Sequence, residues 1–281
     1  MSVLESTKRV MRRWFISIPF FVLLGLALGY LISIAVIPKP DVAVLTISGT
    51  IVDQAYTDNI LDALGNARES NNIKAVVLRI DSPGGGVGAV EQIYLDLLRL
   101  RLQKPVVASI GTVAASGGYY IAVASNFIYA ESASIIGSIG ASVSLPKPER
   151  LEEDVATSGP FKATGGTRRK SVTYLEMIKQ EFIEAVVSQR EERLRLSNEE
   201  LSRAEIYLGS EGLRYGLIDD IGTRTAAIEK AASLAGLRNY GVTQFRIEKP
   251  SLWLFGSMDL AAFKAQTGLT PKYYYLYFER E

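Results

Sequence analysis

The chain predicts an α/β fold built on a mostly parallel sheet. Short β-branched runs alternate with amphipathic helical stretches from Asp41 onward, and glycine-rich turns close several of the runs. Such strand–helix alternation indicates βαβ units, with functional sites expected at the carboxyl ends of the strands. The 281 residues and 48% hydrophobic content supply a sizeable core.

Residues 14–37 precede that region and carry no charged side chain. At 1.5 Å rise per residue they would form a helix of roughly 36 Å, enough to cross a hydrocarbon layer of about 30 Å with some tilt. Lys8, Arg9, Arg12 and Arg13 come just before it, so the positive-inside rule places residues 1–13 in the cytoplasm and everything after Pro38 outside. A cleaved secretory signal would have a shorter apolar core and a small-residue cleavage site, which Ser33-Ile-Ala35 matches poorly. Gly25 and Gly29 have the spacing of a small-xxx-small helix contact.

In the remainder, Val42 to Ile47 reads as a strand and Asn59 to Ala67 as a helix with Ile60, Leu61 and Leu64 on one face. Ala75 to Ile80 is the second strand and ends at Asp81-Ser-Pro-Gly-Gly-Gly86. A helix follows over Gly88 to Leu102, then a third strand over Pro105 to Ile110. Phe127 to Ala130 and the stretch Ile135 to Ser144 read as further strands. Beyond Lys147, helices are expected over Glu149 to Val155, Ser171 to Leu196 and Thr225 to Ala235, with a helix-to-strand return from Ile206 to Gly222. The aromatic tail, Trp253-Leu-Phe255 and Tyr273 to Phe278, reads first as core or subunit contact and second as part of a substrate groove.

Composition removes several kinds of chemistry. With no histidine and no cysteine, a Ser-His-Asp triad, a Cys-His pair and a zinc site on His or Cys ligands are excluded. No cofactor is called for, and a net charge of +1 without a basic stripe argues against nucleic acid as partner. Yet Ser116, in Val113-Ala-Ala-Ser116-Gly-Gly, follows a strand and opens a helix among small neighbours. There a substrate carbonyl can approach the hydroxyl, and the N–H of Gly117 would point at the same oxygen. The plain alternative is a helix N-cap serine. Glycines 84–86 can present backbone N–H groups at close range, as an oxyanion needs; the Lys-Ser/Thr ending of a phosphate-binding loop is absent.

Four motifs occur in order: Ser82-Pro-Gly-Gly85, Ala115-Ser-Gly-Gly-Tyr-Tyr-Ile-Ala122, Gly137-Ser-Ile-Gly140 and Gly216-Leu-Ile-Asp-Asp-Ile-Gly222. Together they resemble the signal peptide peptidase A family over about residues 41–237, leaving 238–281 as a C-terminal extension. The resemblance implies a ClpP/crotonase-like fold of repeated ββα units, preceded by one transmembrane helix. It implies a Ser/Lys dyad with Ser116 as nucleophile and Lys162 of Gly159-Pro-Phe-Lys162 as base. Gly85 would supply an oxyanion N–H, Ser138 would hydrogen-bond the lysine, and the soluble parts would form a homo-oligomer. Peptide substrates near membrane lipid, such as signal-peptide remnants, are what such an enzyme would cleave.

A lysine base has a physical requirement. A solvated ammonium near pKa 10.4 is neutral in well under about one molecule in a thousand at pH 7. Burial can lower that value by about 3–5 units. Lys147, Lys170 and Lys179 are rival amines; Lys170 stands beside Arg168 and Arg169, and Lys179 lies mid-helix. After Lys162 the chain reads Ala163-Thr-Gly-Gly-Thr-Arg-Arg-Lys170, a departure from the acidic residue and Gly-Ser-Pro-Phe-Arg frequent in the family. A crotonase-like acyl-CoA enzyme and a non-catalytic membrane scaffold are the alternative readings of the same fold.

Overall fold

The structure is a computed structural model that describes residues 18–29, 39–144, 158, 161, 165–245, 247 and, for the backbone alone, 272–276. Two compact units are distinguished, Met1–Pro40 and Asp41–Glu281. In the first, helix α1 covers 18–29, and Phe20, Phe21, Leu23 and Leu26 are exposed on it. At about 1.5 Å per residue it is roughly 18 Å long, short of a bilayer's hydrocarbon thickness. Among the described residues no helix is long and apolar enough to cross a membrane. The expected span over 14–37 is therefore described only in its middle, and its flanks lie outside the described residues.

The second unit opens with β1 (Asp41–Ser48), α2 (Gln54–Glu69), β2 (Ile73–Ser82), β3 (Gly84–Gly86), α3 (Val87–Arg101), β4 (Val106–Ala115) and α4 (Gly117–Ala122). Then come β5 (Phe127–Ala130), β6 (Ile135–Gly137), β7 (Ser142–Ser144), α5 (Arg168–Arg190) and α6 (Asn198–Ser202). The last elements are β8 (Ile206–Leu208), α7 (Gly209–Tyr215), β9 (Asp220–Ile221), α8 (Arg224–Leu234), β10 (Gly241–Phe245) and β11 (Lys272–Leu276).

The main sheet runs β10-β1-β2-β4-β5-β9, every neighbouring pair parallel. β6 continues it along the far end of β4, and β8 pairs antiparallel with β6. Side chains alternate between two covered faces. Ala43, Leu45, Ile47, Val76, Leu78, Ile80, Val106, Ala108 and Ile110 pack into the larger core with α2, α3, α4 and α5. Val42, Val44, Ala75, Val77 and Val107 face the other way, onto Ala227, Ala231 and Ala232 of α8. Two covered faces explain why these strands read as unbroken apolar runs.

The α/β, mostly parallel, ClpP-like architecture is as expected, with local corrections. Ile135 to Ser144 is two strands, because Gly137 at φ 99° and Ser138 at φ 51° turn the chain between them. The return after Ile206 begins with a strand, β8, and only then forms α7. The long helix starts at Arg168, capped by the Thr167 hydroxyl, and stops at Arg190 rather than Leu196. The expected helix Glu149 to Val155 and the aromatic Trp253 to Phe255 lie outside the described residues.

The fourth motif closes the far side of this unit. Arg190 of α5, 1% exposed, donates through Nη1 and Nη2 to both carboxylate oxygens of Asp219 at 2.9 and 2.8 Å, and through Nε to the Gly216 carbonyl at 2.7 Å. Asp219 also accepts from Arg193 at 2.9 Å and from the Ile128 N–H at 2.7 Å. Gly216 adopts φ 76°, and a Cβ there would sit 1.7 Å from the Arg193 carbonyl oxygen, so only glycine fits. Burial pushes the Asp219 carboxyl up, but the hydrogen bonds and charge of Arg190, the Ile128 N–H and Arg193 outweigh it and hold it below the usual carboxylate range.

Candidate active site

Ser116 sits where β4 gives way to α4, at φ 51° and ψ −120°. A non-glycine residue there is strained by about 1–3 kcal/mol and persists only when its surroundings impose it. They do: the Ser116 N–H donates to the Gly137 carbonyl at 2.8 Å, and its own carbonyl accepts from the Tyr120 N–H at 2.9 Å. This is the sharp strand-to-helix turn that lifts a nucleophile out of a parallel sheet. The Ser116 Oγ donates a long 3.4 Å bond to the Gly140 carbonyl, and the residue is 1% exposed. As the first residue of α4, Gly117 has an N–H without an intrahelical acceptor.

A bulge sets where β4 ends. Between the register pairs Ile80–Ile110 and Ser82–Ala114, β4 carries more residues than β2. The Asp81 carboxylate accepts from the Val113 N–H at 3.2 Å, and the Ser134 hydroxyl donates to the Gly111 carbonyl at 2.5 Å, so both polar groups of the bulge are held. Neither Asp81 nor Ser134 was singled out by sequence; an acidic residue at the last position of a strand, just before Ser-Pro-Gly, was the available sign. Gly118 is pressed against the Ser82 turn, where a Cβ would lie 2.4 Å from the Ser82 carbonyl oxygen. That contact seats the start of α4 directly on the Ser82-Pro-Gly-Gly turn.

Glycines 84–86 form a strand and not the turn expected of them. Ile51 donates to the Gly84 carbonyl at 2.9 Å and accepts from the Gly86 N–H at 2.8 Å. Gly85, between them, therefore turns its own N–H and C=O to the opposite edge. A Cβ on Gly85 would lie 2.0 Å from the Ile51 carbonyl oxygen, so no other residue fits. The opposite edge meets β11, antiparallel, with Tyr275 opposite Gly85. β11 pairs in the same sense with β7 on its other side, Tyr273 opposite Val143.

Ser138 follows β6 at φ 51° and donates its N–H to the Glu205 carbonyl at 2.8 Å. Because Ala115 pairs with Gly137, Ser116 and Ser138 stand at adjacent strand ends. Ser116, Gly117, Gly85 and Ser138 thus come from four turns gathered along one end of the sheet. Lys162 and Lys147 lie outside the described residues. The rivals on α5 are spoken for: the Lys170 ammonium lies over the Tyr174 ring at 5.4 Å, and Lys179 pairs with Glu176 at 2.8 Å. Tyr119, in the same helix as the Ser116 turn, donates its buried hydroxyl to the Leu217 carbonyl at 2.7 Å, and burial pushes the phenol up. That bond ties α4 to the glycine-flanked fourth motif.

A strand-to-helix serine turn beside a glycine edge, on a parallel sheet with both faces covered, defines a ClpP-like peptidase architecture. The Clp protease family model matches residues 41–136, and the model for peptidase family S49 matches 99–238. The slr0021 sequence of Synechocystis sp., which carries a protease name, is 33% identical over 226 residues, 75% of this chain and 80% of that one. Protease 4 of Haemophilus influenzae is 32% identical over 228 residues, 74% of this chain. The chain spans 37% of the length of that relative. The fold is shared with a mutant form of the 1510-N membrane-bound stomatin-specific protease, at 21% identity and a TM-score of 0.50, over 75% of this chain and all of that one. The chain belongs to peptidase family S49, and the resemblance read from its four motifs is borne out.

Proposed function

We propose that this chain is a membrane-anchored serine endopeptidase working through a Ser116/Lys162 dyad. The supporting observation is the strained Ser116 turn lying next to a glycine edge whose Gly85 N–H faces outward. Lys162, as the neutral amine, takes the Ser116 proton while Oγ attacks a peptide carbonyl. The N–H groups of Gly85 and Gly117 hold the oxyanion, and Ser138 orients the amine. Lys162 then gives its proton to the leaving amine, and water hydrolyses the acyl-enzyme to regenerate Ser116.

Substrates are extended, apolar peptides released near a bilayer, signal-peptide remnants among them. Residues 14–37 anchor the chain with 1–13 in the cytoplasm, and the catalytic unit assembles with further copies outside. A reporter fused after residue 40 is expected to be active only as an extracytoplasmic enzyme; cytoplasmic activity would reverse the orientation.

A fluorophosphonate probe tests the chemistry. Wild-type protein is expected to be labelled at Ser116 and to hydrolyse casein. Lys162→Ala should lose at least about 10² of both rates, since general-base catalysis is worth 10²–10⁴. A folded wild type that ignores the probe but turns over an acyl-CoA thioester would favour the crotonase-type reading. One that does neither would favour the scaffold.

A further inference from the structure

One strand of the smaller sheet comes from far along the chain. β11 lies antiparallel to both β3 and β7, with Tyr274 opposite Gly86 on one side and Ser142 on the other. Both edges belong to the site: β3 carries Gly85, and β7 begins two residues after Gly140, whose carbonyl accepts from the Ser116 hydroxyl. β11 also packs against α4, the helix that Ser116 opens. An extended segment inserted between two strand edges is the way sheets recognise peptides, through main-chain hydrogen bonds. Here the chain supplies that segment itself.

The register adds a specific point. Gly85 spends nothing on Ile51, whose partners are Gly84 and Gly86, so its N–H and C=O are turned to β11. The residue opposite is Tyr275. The N–H that would stabilise an oxyanion is thus placed against the main chain of this one residue, and Ser116 is closed off at 1% exposure.

We propose that β11 is a self-inhibitory strand: the C-terminal segment lies where a substrate would, with Tyr275 in the place of the residue whose carbonyl is attacked. The proposal rests on the peptidase reading of Ser116. A tethered strand acts at an effective concentration on the order of 1 mM, so one with an intrinsic affinity near 0.1 mM suppresses activity about tenfold. The register also predicts the only bond the enzyme could cut in itself there, Tyr275–Leu276, with water giving a carboxylate on Tyr275 and a free amine on Leu276.

The test compares the full chain, a chain ending at residue 271, and full-length Tyr275→Pro, which cannot donate to the ladder and fixes its own φ. A fluorogenic peptide gives kcat/KM, the fluorophosphonate probe gives the labelling rate, and circular dichroism checks folding. Both altered chains should gain about tenfold or more in each rate. A synthetic peptide of residues 272–281 should inhibit the truncated enzyme competitively, raising KM and leaving kcat. Loss of residues 276–281 from wild type, absent in Ser116→Ala, would support the same register. Equal rates in all three folded forms, with no competition by the peptide, would overturn the strand's role while leaving the peptidase intact. Should truncation prevent folding, the Tyr275→Pro comparison decides alone. If no folded form labels or hydrolyses, the peptidase reading falls, and this proposal with it.

Discussion

Ser116→Ala is expected to lower peptide hydrolysis by about 10⁴–10⁶ and to leave the fold and its stability nearly unchanged. The rate loss follows from removing the atom that forms the acyl-enzyme; what remains is the background from oxyanion donors and binding. The stability argument is local. The Oγ makes only a 3.4 Å bond to the Gly140 carbonyl, so its loss is worth under about 1 kcal/mol. The backbone contacts that impose φ 51°, to Gly137 and from Tyr120, are untouched by the change. Initial rates on a fluorogenic peptide and a thermal midpoint measured on the same preparation decide it. A variant that keeps more than about a tenth of the activity would remove Ser116 from the chemistry.

Arg190→Ala should be the most damaging change remote from the site. Removing one partner of a buried ion pair leaves the other charge uncompensated, at a cost of about 3–5 kcal/mol. For a domain of this size that lowers the thermal midpoint by about 10 °C. Asp219 would keep Arg193 and the Ile128 N–H, which sets the loss toward the lower end. The pH dependence has a definite sign. The folded carboxyl of Asp219 is depressed, so the unfolded chain takes up that proton first as pH falls. Its contribution is fully present above the unfolded value near 3.9 and is lost progressively below about pH 4. Denaturation scans between pH 3 and 7 should show this acid limb in wild type and a smaller one in Arg190→Ala. An unchanged midpoint would mean that the clamp contributes nothing.

Local pattern revealed much of the core and the serine turn, while pairings between distant segments stayed hidden. Val42 to Ile47, Ala75 to Ile80 and Phe127 to Ala130 are legible because a buried parallel strand must be apolar on both faces. The serine turn is legible because its small neighbours, Ala114, Ala115, Gly117 and Gly118, have few other uses together. Gly84–Gly86 reads as a turn because glycine has low strand propensity; only Ile51 on one side and β11 on the other make it a strand. The same long-range pairing decides β8, whose three residues carry no period of their own and are defined by β6. The Asp81 and Ser134 contacts to the β4 bulge join residues far apart in sequence, so no local pattern announces them. Lys162 rests on the motif alone.

The all-glycine β3 has a chemical consequence for selectivity. With hydrogen atoms in place of side chains at Gly84, Gly85 and Gly86, that wall offers no pockets with which to favour one amino acid over another. It grips by amide groups common to every polypeptide. Discrimination, where it exists, must come from the remaining walls, and broad tolerance of unrelated sequences is the natural behaviour of such a cleft.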